Sequence, residues 1–529
     1  MTYRIARRSL LLGASSIATL TAFGSRPSLA RLGGEITVVH NIEPRSLVGA
    51  LGGGSTVAEH SAKLHDSLFF HNGTDIEPRL GTEVRNTADA LEFTVRLQEG
   101  VTWHDGQPFT SADVAFTALE IWKPLSGNVA YRRIASVETP DDLTVVFKMS
   151  EPVSPEFFMN SISSGFGQVI PKHIYEGTDY HANPANKAPV GTGPFMFKEW
   201  KAGQYLIYER NPRYYRDGFP YADRILYRFE KSEANVAAVL ESGEADVSVR
   251  NAVPLSDIER LKTMEGLSVT SEGNDAVAGF LHMELNTRRE ATGKSEVRQA
   301  IAHALDMRAL IDIVYLGYAR PVSGPLPNGS VYRKRGLPAY EFDPAKAEAM
   351  LDVAGYPRGA NGIRLTLDFV CATWYPATRQ AGDVVRQQLS DVGIETNLVT
   401  PDFGGMVTRV YKDYDYDIAL SNSAHFSDPG LTTFDWYWSK AAIPGVPFRN
   451  TMGYMNPELD AAIETALSTG DADARRAAID KFQDLAVQDL PLIPLAETTI
   501  FTVYRSDLQN VADNPQWSQT SWDNVGRDI

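Results

Sequence analysis

In VTWHDGQPFTSADVAF (Val101 to Phe116) a histidine and an aspartate stand side by side just before a glycine. His104 beside Asp105 has the residue types of half a general acid–base pair, or of a metal ligand with its orienting carboxylate. Neither chemistry is complete, because the stretch supplies no nucleophile and no third ligand. The flanking pattern gives the pair another role. Upstream, LEFTVRLQ alternates Leu91, Phe93, Val95 and Leu97 with polar residues, the period of a half-buried strand. Glu99-Gly100 and Gly106 mark turns, and an Asp before Gly suits a tight one. Thr110 and Asp113 match a capping box opening a helix through Val114, Phe116 and Leu119. DDLTVVFKM (Asp141 to Met149) supplies a partner strand. His104-Asp105 is therefore read as part of a strand–turn–helix connection.

The other chemistry-bearing patterns are equally incomplete. GTGP (Gly191 to Pro194) is not a dinucleotide fingerprint, and its proline blocks helix amides from facing a phosphate. GGGS (Gly52 to Ser55) lacks the lysine of a phosphate-binding loop, although Ser55 is kept as a ligand-contact candidate. No G-x-S-x-G elbow occurs, and His60 and His65 are not spaced like a zincin pair. The single cysteine, Cys371, can form neither an internal disulfide nor a thiolate cluster. No cofactor and no metal site is expected. A binding role is favoured over catalysis, with a hydrolase acting outside the cytoplasm as the alternative of a different class.

The elements that must position any site repeat an α/β theme. Asp343-Pro344 opens a helix carrying Ala347, Met350, Leu351 and Ala354 on one face, and Gly355 closes it. Strand Ile363 to Phe369, helix Pro376 to Val392 and strand Ile394 to Val399 form a βαβ unit, implying a parallel sheet. A further helix is expected from Val297 to Val314. At 529 residues the chain exceeds one ordinary core, so two or three lobes are expected. A formal charge of −16 argues against nucleic acid and anionic membranes as partners. At the N-terminus, Arg7-Arg8, an apolar run from Leu10 to Phe23 and Ser28-Leu29-Ala30 have the layout of a cleavable, twin-arginine-like export signal. Residues 1–30 are therefore expected to be removed, leaving a chain free in the periplasm.

Six stretches together resemble the family 5 extracellular solute-binding proteins, the receptors of peptide, nickel and opine ABC importers. They are LEFTVRLQEGVTWHDGQPFTSADVAF, GTGPFMFKEWKAGQYLIYERNPRYY, EVRQAIAHALDMRALIDIVYLGYA, FDPAKAEAMLDVAGYP, LSDVGIE and LPLIPL, in the family's order. The resemblance implies an α/β, two-lobed periplasmic binding protein fold of type II, in the large peptide-binding-like class, with an extra N-terminal subdomain. Residues 31–71, 190–285 and 497–529 would form lobe I, 72–189 the inserted subdomain and 286–496 lobe II. It also implies a small-molecule ligand, permease subunits of an ABC importer as partners, and a monomer.

Within that resemblance, peptide-binding relatives use an Asp in a segment like SAHFSDP to pair with the ligand's amine. Here His425 stands at that place and Asp428 follows three positions on. The arginine that captures a ligand carboxylate at a helix start corresponds to Arg379, whose planar fork suits a carboxylate or phosphate. Trp374, Tyr375 and Trp436 flank these anchors and offer ring faces for stacking. The ligand expected is a small anion such as an opine, a peptide-like compound or a sugar conjugate, with ordinary di- or oligopeptides as the alternative.

Overall fold

The computed structural model describes residues 32–52, 54–72, 75–165, 167–274, 277–373, 376–426 and 428–528. The expected export segment 1–30, Trp374 and Tyr375 lie outside them.

Two open sheets carry most of the chain. The first has seven strands, ordered Leu267–Thr270, Thr502–Arg505, Val247–Ser248, Glu35–His40, Arg224–Phe229, Tyr205–Arg210 and Phe195–Lys201. Glu35–His40 pairs in parallel with both its neighbours, and it buries Ile36 and Val38 completely. The second sheet has six strands, ordered Ala319–Arg320, Leu492–Thr498, Val277–Leu285, Ile418–Phe426, Leu365–Cys371 and Ile394–Val399. Leu365–Cys371 runs parallel to Ile394–Val399 across helix Pro376–Asp391, which is the βαβ unit read from the sequence.

Strand Val277–Leu285, expected in the first lobe, pairs instead with Ile418–Phe426 and Leu492–Thr498. Eight of its nine residues are buried, as a strand covered on both faces requires, and a central place in the second sheet provides that cover. The chain therefore changes sheet between Thr270 and Val277, and again between Thr498 and Thr502.

A smaller antiparallel sheet, Gly81–Asn86, Glu92–Leu97, Thr144–Met149 and Ile134–Asp141 in its hydrogen-bonded order up to that last strand, contains the alternating stretch, with Phe93, Val95 and Leu97 turned inward. Helix Pro155–Ile162 packs on it, and Phe158 stacks on Phe93 at 4.1 Å between centroids. The expected helix from Val297 to Val314 is two helices, Ser295–Ala304 and Met307–Tyr315. Leu305 is extended, and the Asp306 carboxylate accepts the N–H groups of Arg308 and Ala309, both at 3.0 Å, capping a new helix.

Candidate functional site

His104 and Asp105 do not pair with each other. His104 Nδ1 accepts the Gly191 N–H at 3.1 Å and Nε2 donates to the Gly193 carbonyl at 3.0 Å, which fixes the neutral tautomer. Burial holds its imidazole down at about 4. Asp105 instead meets His173 Nε2 at 2.7 Å. His104 thus clamps Gly191-Thr192-Gly193 against the end of helix Ser55–Leu64, where a Cβ on Gly191 would lie 1.8 Å from the Leu64 carbonyl oxygen. Trp103 is fully buried and Thr110-Asp113 forms the expected capping box.

Among the described residues, one space with binding potential lies elsewhere. A cavity of about 160 Å³ is lined by Gly49, Ala50 and Gly52 on one side, by residues 125–129 and Ser164 on another, and by Phe426, Gly430, Leu431, Asp435 and Arg449 on a third. The first group precedes the helix at Ser55, and the second belongs to the region of the small sheet. The third follows strand Ile418–Phe426 of the six-stranded sheet, so the cavity sits where all three regions meet. Each wall is held locally. Asn128 accepts the Ala130 N–H at 2.8 Å and donates to Ser161 Oγ at 3.1 Å. Asp428 accepts the Gly430 N–H at 2.8 Å, setting the turn Pro429–Leu431.

The charged side chains in the cavity lining are one carboxylate, Asp435, and one guanidinium, Arg449. Asp435, on the short helix Thr433–Tyr437, meets Arg449 Nη1 at 3.2 Å, and Arg132 also acts on it. Burial raises the Asp435 carboxyl, and the two arginines oppose that rise. Arg449 Nη1 is buried without a well-directed hydrogen bond, so its pairing with Asp435 leaves donor capacity for another anion. Arg132 is exposed and stands outside the lining, adding positive charge from the solvent side.

Of the candidates named from sequence, His425 and Trp436 stack on each other at 6.4 Å between ring centroids, but neither is among the residues lining this cavity. His425 is buried among Ser423 at 3.1 Å, Thr433 at 3.0 Å and the stacked ring of Phe280 at 4.4 Å. Burial pushes it down to about 3, so it is a neutral core residue and not a cavity anchor. Trp436 is likewise buried, with its ring edge-on to His282 at 4.6 Å. Arg379 lies on helix Pro376–Asp391, paired with Asp383 one turn on at 2.6 Å, and is not among the cavity's residues. Asp428 is committed to Arg475 at 2.8 Å. Ser55 begins its helix three residues beyond Gly52, near the cavity but outside its lining. Asp435, inside the FDWYW stretch quoted for its rings, and Arg449, in a loop with no motif around it, line this cavity and were not among the candidates read from sequence.

Residues 75–445 match the family model described as bacterial extracellular solute-binding proteins, family 5 Middle. The chain is 28% identical over 425 residues, 78% of each chain, to the glutathione-binding protein GsiB of Pectobacterium atrosepticum. Among solved structures it is similar to NikZ from Campylobacter jejuni in complex with Ni(L-His), with a TM-score of 0.80 and 21% identity, covering 93% of this chain and 99% of that one. It is also similar to AgaA from A. tumefaciens R10 in complex with agropinic acid, with a TM-score of 0.79 and 24% identity, covering 94% and 99% of the two chains. The fold is the two-lobed one of these binding proteins.

Proposed function

The chain belongs to the family 5 bacterial extracellular solute-binding proteins, and on that premise we propose that it captures a small anionic solute in the cavity at Arg449 and Asp435 and delivers it to the permease of an ABC importer. The observation that carries this reading is Arg449 in the cavity lining, whose buried Nη1 keeps donor capacity beside the lining's single carboxylate, Asp435. A solute anion there exchanges water for guanidinium donors, a charge-assisted contact of the stronger kind. At about 160 Å³ the space is below the ~300–1,000 Å³ of drug-sized sites, so the solute is compact, of opine, peptide-like or sugar-conjugate size. Asp435 favours a second reading, a short peptide whose ammonium meets that carboxylate. The same proposal has residues 1–30 cleaved and the chain working in the periplasm, so N-terminal sequencing of the exported product should begin at or near Arg31.

Thermal-shift measurements with glutathione, di- and tripeptides, opines, sugar phosphates and nickel–histidine test the proposal. A ligand that binds only the folded chain stabilises it by about 2.7 kcal/mol at a hundredfold excess over Kd. The expected hits fall in one class of compact anions. Hits confined to cations or neutral sugars contradict the anionic reading, and steady chemical turnover of a hit contradicts the receptor reading.

A further inference from the structure

We propose that Glu284, a carboxylate buried on the six-stranded sheet, anchors Asp435 and Arg449 from behind and holds them at the spacing that leaves Arg449 a donor for the solute. This rests on the reading that the cavity takes an anion, and it names the residues that set the cavity's geometry. A guanidinium and a carboxylate free to move close into a fork of two parallel bonds at about 2.7–2.9 Å. Arg449 and Asp435 meet instead at 3.2 Å, and Arg449 Nη1 makes no well-directed hydrogen bond. The restraint comes from the side chains behind them.

Asp435 is tied through two neighbouring strands. His282 and Glu284 lie on Val277–Leu285, Ser423 and His425 on Ile418–Phe426, and all four are buried. Glu284 Oε1 faces His282 Nε2 at 3.6 Å. His282 Nδ1 lies 3.4 Å from Ser423 Oγ, Ser423 Oγ lies 3.1 Å from His425 Nε2, and His425 Nδ1 lies 3.0 Å from Thr433 Oγ1. Thr433 opens the helix Thr433–Tyr437, and Trp436, one turn on, sits edge-on to His282 at 4.6 Å. Thr433 and Trp436 therefore turn one face of the helix to the histidines, which leaves Asp435 to project away from them into the cavity lining. Arg449 is tied to the other oxygen of the same carboxylate. Thr451 Oγ1 donates to Glu284 Oε2 at 2.5 Å and accepts from the Tyr416 hydroxyl at 3.2 Å. The Thr451 N–H donates to the Arg449 carbonyl at 2.7 Å, so the anchor is two residues from the guanidinium-bearing position.

The carboxylate also gives the chain a direction. It only accepts, and a bare imidazole lone pair facing it would be repelled, so the His282 proton belongs on Nε2, where Ser421 Oγ at 3.3 Å shares it. His282 Nδ1 then accepts from Ser423, Ser423 Oγ accepts the Nε2–H of His425, and His425 Nδ1 accepts from Thr433. Both imidazoles are neutral and every bond points toward Glu284. Such a chain is stiffer in a site without solvent than on the surface. Glu284, His282 and His425 are thus positioning residues, acting on the solute through Asp435 and Arg449.

Crystal structures and histidine 15N spectra of the dialysed full chain test this without any solute, so a failure here stands apart from a failure of the anion reading. Thr433→Val and Thr451→Val keep each side chain's shape and remove its hydroxyl. In either variant Arg449 and Asp435 should close into the two-bond fork, and Thr433→Ser should restore the 3.2 Å contact. In the wild type, His282 and His425, assigned through His282→Gln and His425→Gln, should each carry a single proton on Nε2. Glu284→Gln keeps the Thr451 bond through its amide oxygen and turns its NH2 toward His282, so both histidines should switch to Nδ1–H, a change that loosened packing alone would not produce. A pair that keeps its wild-type geometry or moves apart in both valine variants overturns the proposal. So do Nδ1–H tautomers in the wild type, or tautomers that Glu284→Gln leaves unchanged.

Discussion

Arg449 and Asp435 meet at 3.2 Å in poor hydrogen-bond geometry, and that imperfection is what makes them informative. A saturated ion pair has nothing left to offer a ligand, as Asp428 with Arg475 illustrates, whereas Arg449 retains a buried donor. Arg449→Ala should weaken binding of the solute found by thermal shift by about thirtyfold or more, the effect of removing one partner of a desolvated charge pair, and calorimetry should show it. Arg449→Lys should recover only part of that loss, since a point charge does not reproduce a planar fork. Asp435→Asn separates the two ligand readings. An anion without an ammonium group should bind it as well as wild type or better, while a peptide should bind more weakly. Unaltered affinity in Arg449→Ala would move the anion site out of this cavity.

At the scale of elements, punctuation residues were legible because their physics is local. Thr110 with Asp113, Asp343 with Pro344, and the βαβ unit around helix Pro376–Asp391 formed as their patterns imply. Asp306 has the same local physics, yet the apolar periodicity running across it suggested one unbroken helix. What sequence did not reveal was convergence. Arg379 and His425 were chosen by position within a resemblance, and burial and pairing direct both elsewhere. Asp435 and Arg449 are 14 positions apart in unrelated local contexts, and it is the fold of the intervening loop that makes them neighbours on one cavity wall. The Gly191-Thr192-Gly193 clamp is a testable case of local physics with long-range consequence. Gly191→Ala pushes a Cβ into the Leu64 carbonyl, so it should destabilise the chain by more than about 2 kcal/mol in urea unfolding. His104→Ala, which removes two backbone partners, should cost about 1–3 kcal/mol. A neutral Gly191→Ala would show that the loop can move away from the helix end at little cost.

For the whole molecule, the buried histidines set the response to acid. Burial holds His65, His104 and His425 at about 3, 4 and 3, against 6.5 for an unconstrained imidazole. Their folded values are lowered, so below pH 6.5 the unfolded chain binds protons that the folded chain refuses. Each histidine then removes about 1.4 kcal/mol of stability per pH unit on the way down to its folded value. Asp66 acts in the opposite sense: burial raises its carboxyl from 3.8 to about 6, so acidification through that window favours the folded state. Burial lowers His40, His60 and His71 as well, which adds to the loss of stability above the ordinary carboxylate range. Lys63, lowered by burial from 10.5 to about 7, adds stability as pH rises above 7. Calorimetric Tm should therefore fall from pH 7 to pH 5 and be higher at pH 8.5 than at pH 5.5. A Tm that stays flat or rises on acidification would contradict the neutral, buried state of these histidines.

The central claim is that the chain binds a compact anion one-to-one between its lobes and releases it unchanged. Native mass spectrometry of the full chain with the solute found by thermal shift tests this most directly. The account predicts a single added mass per chain, lost from Arg449→Ala under the same conditions and recovered chemically intact when the wild-type complex is unfolded. Recovery of a cleaved or modified product, or equal occupancy of wild type and Arg449→Ala, would contradict it.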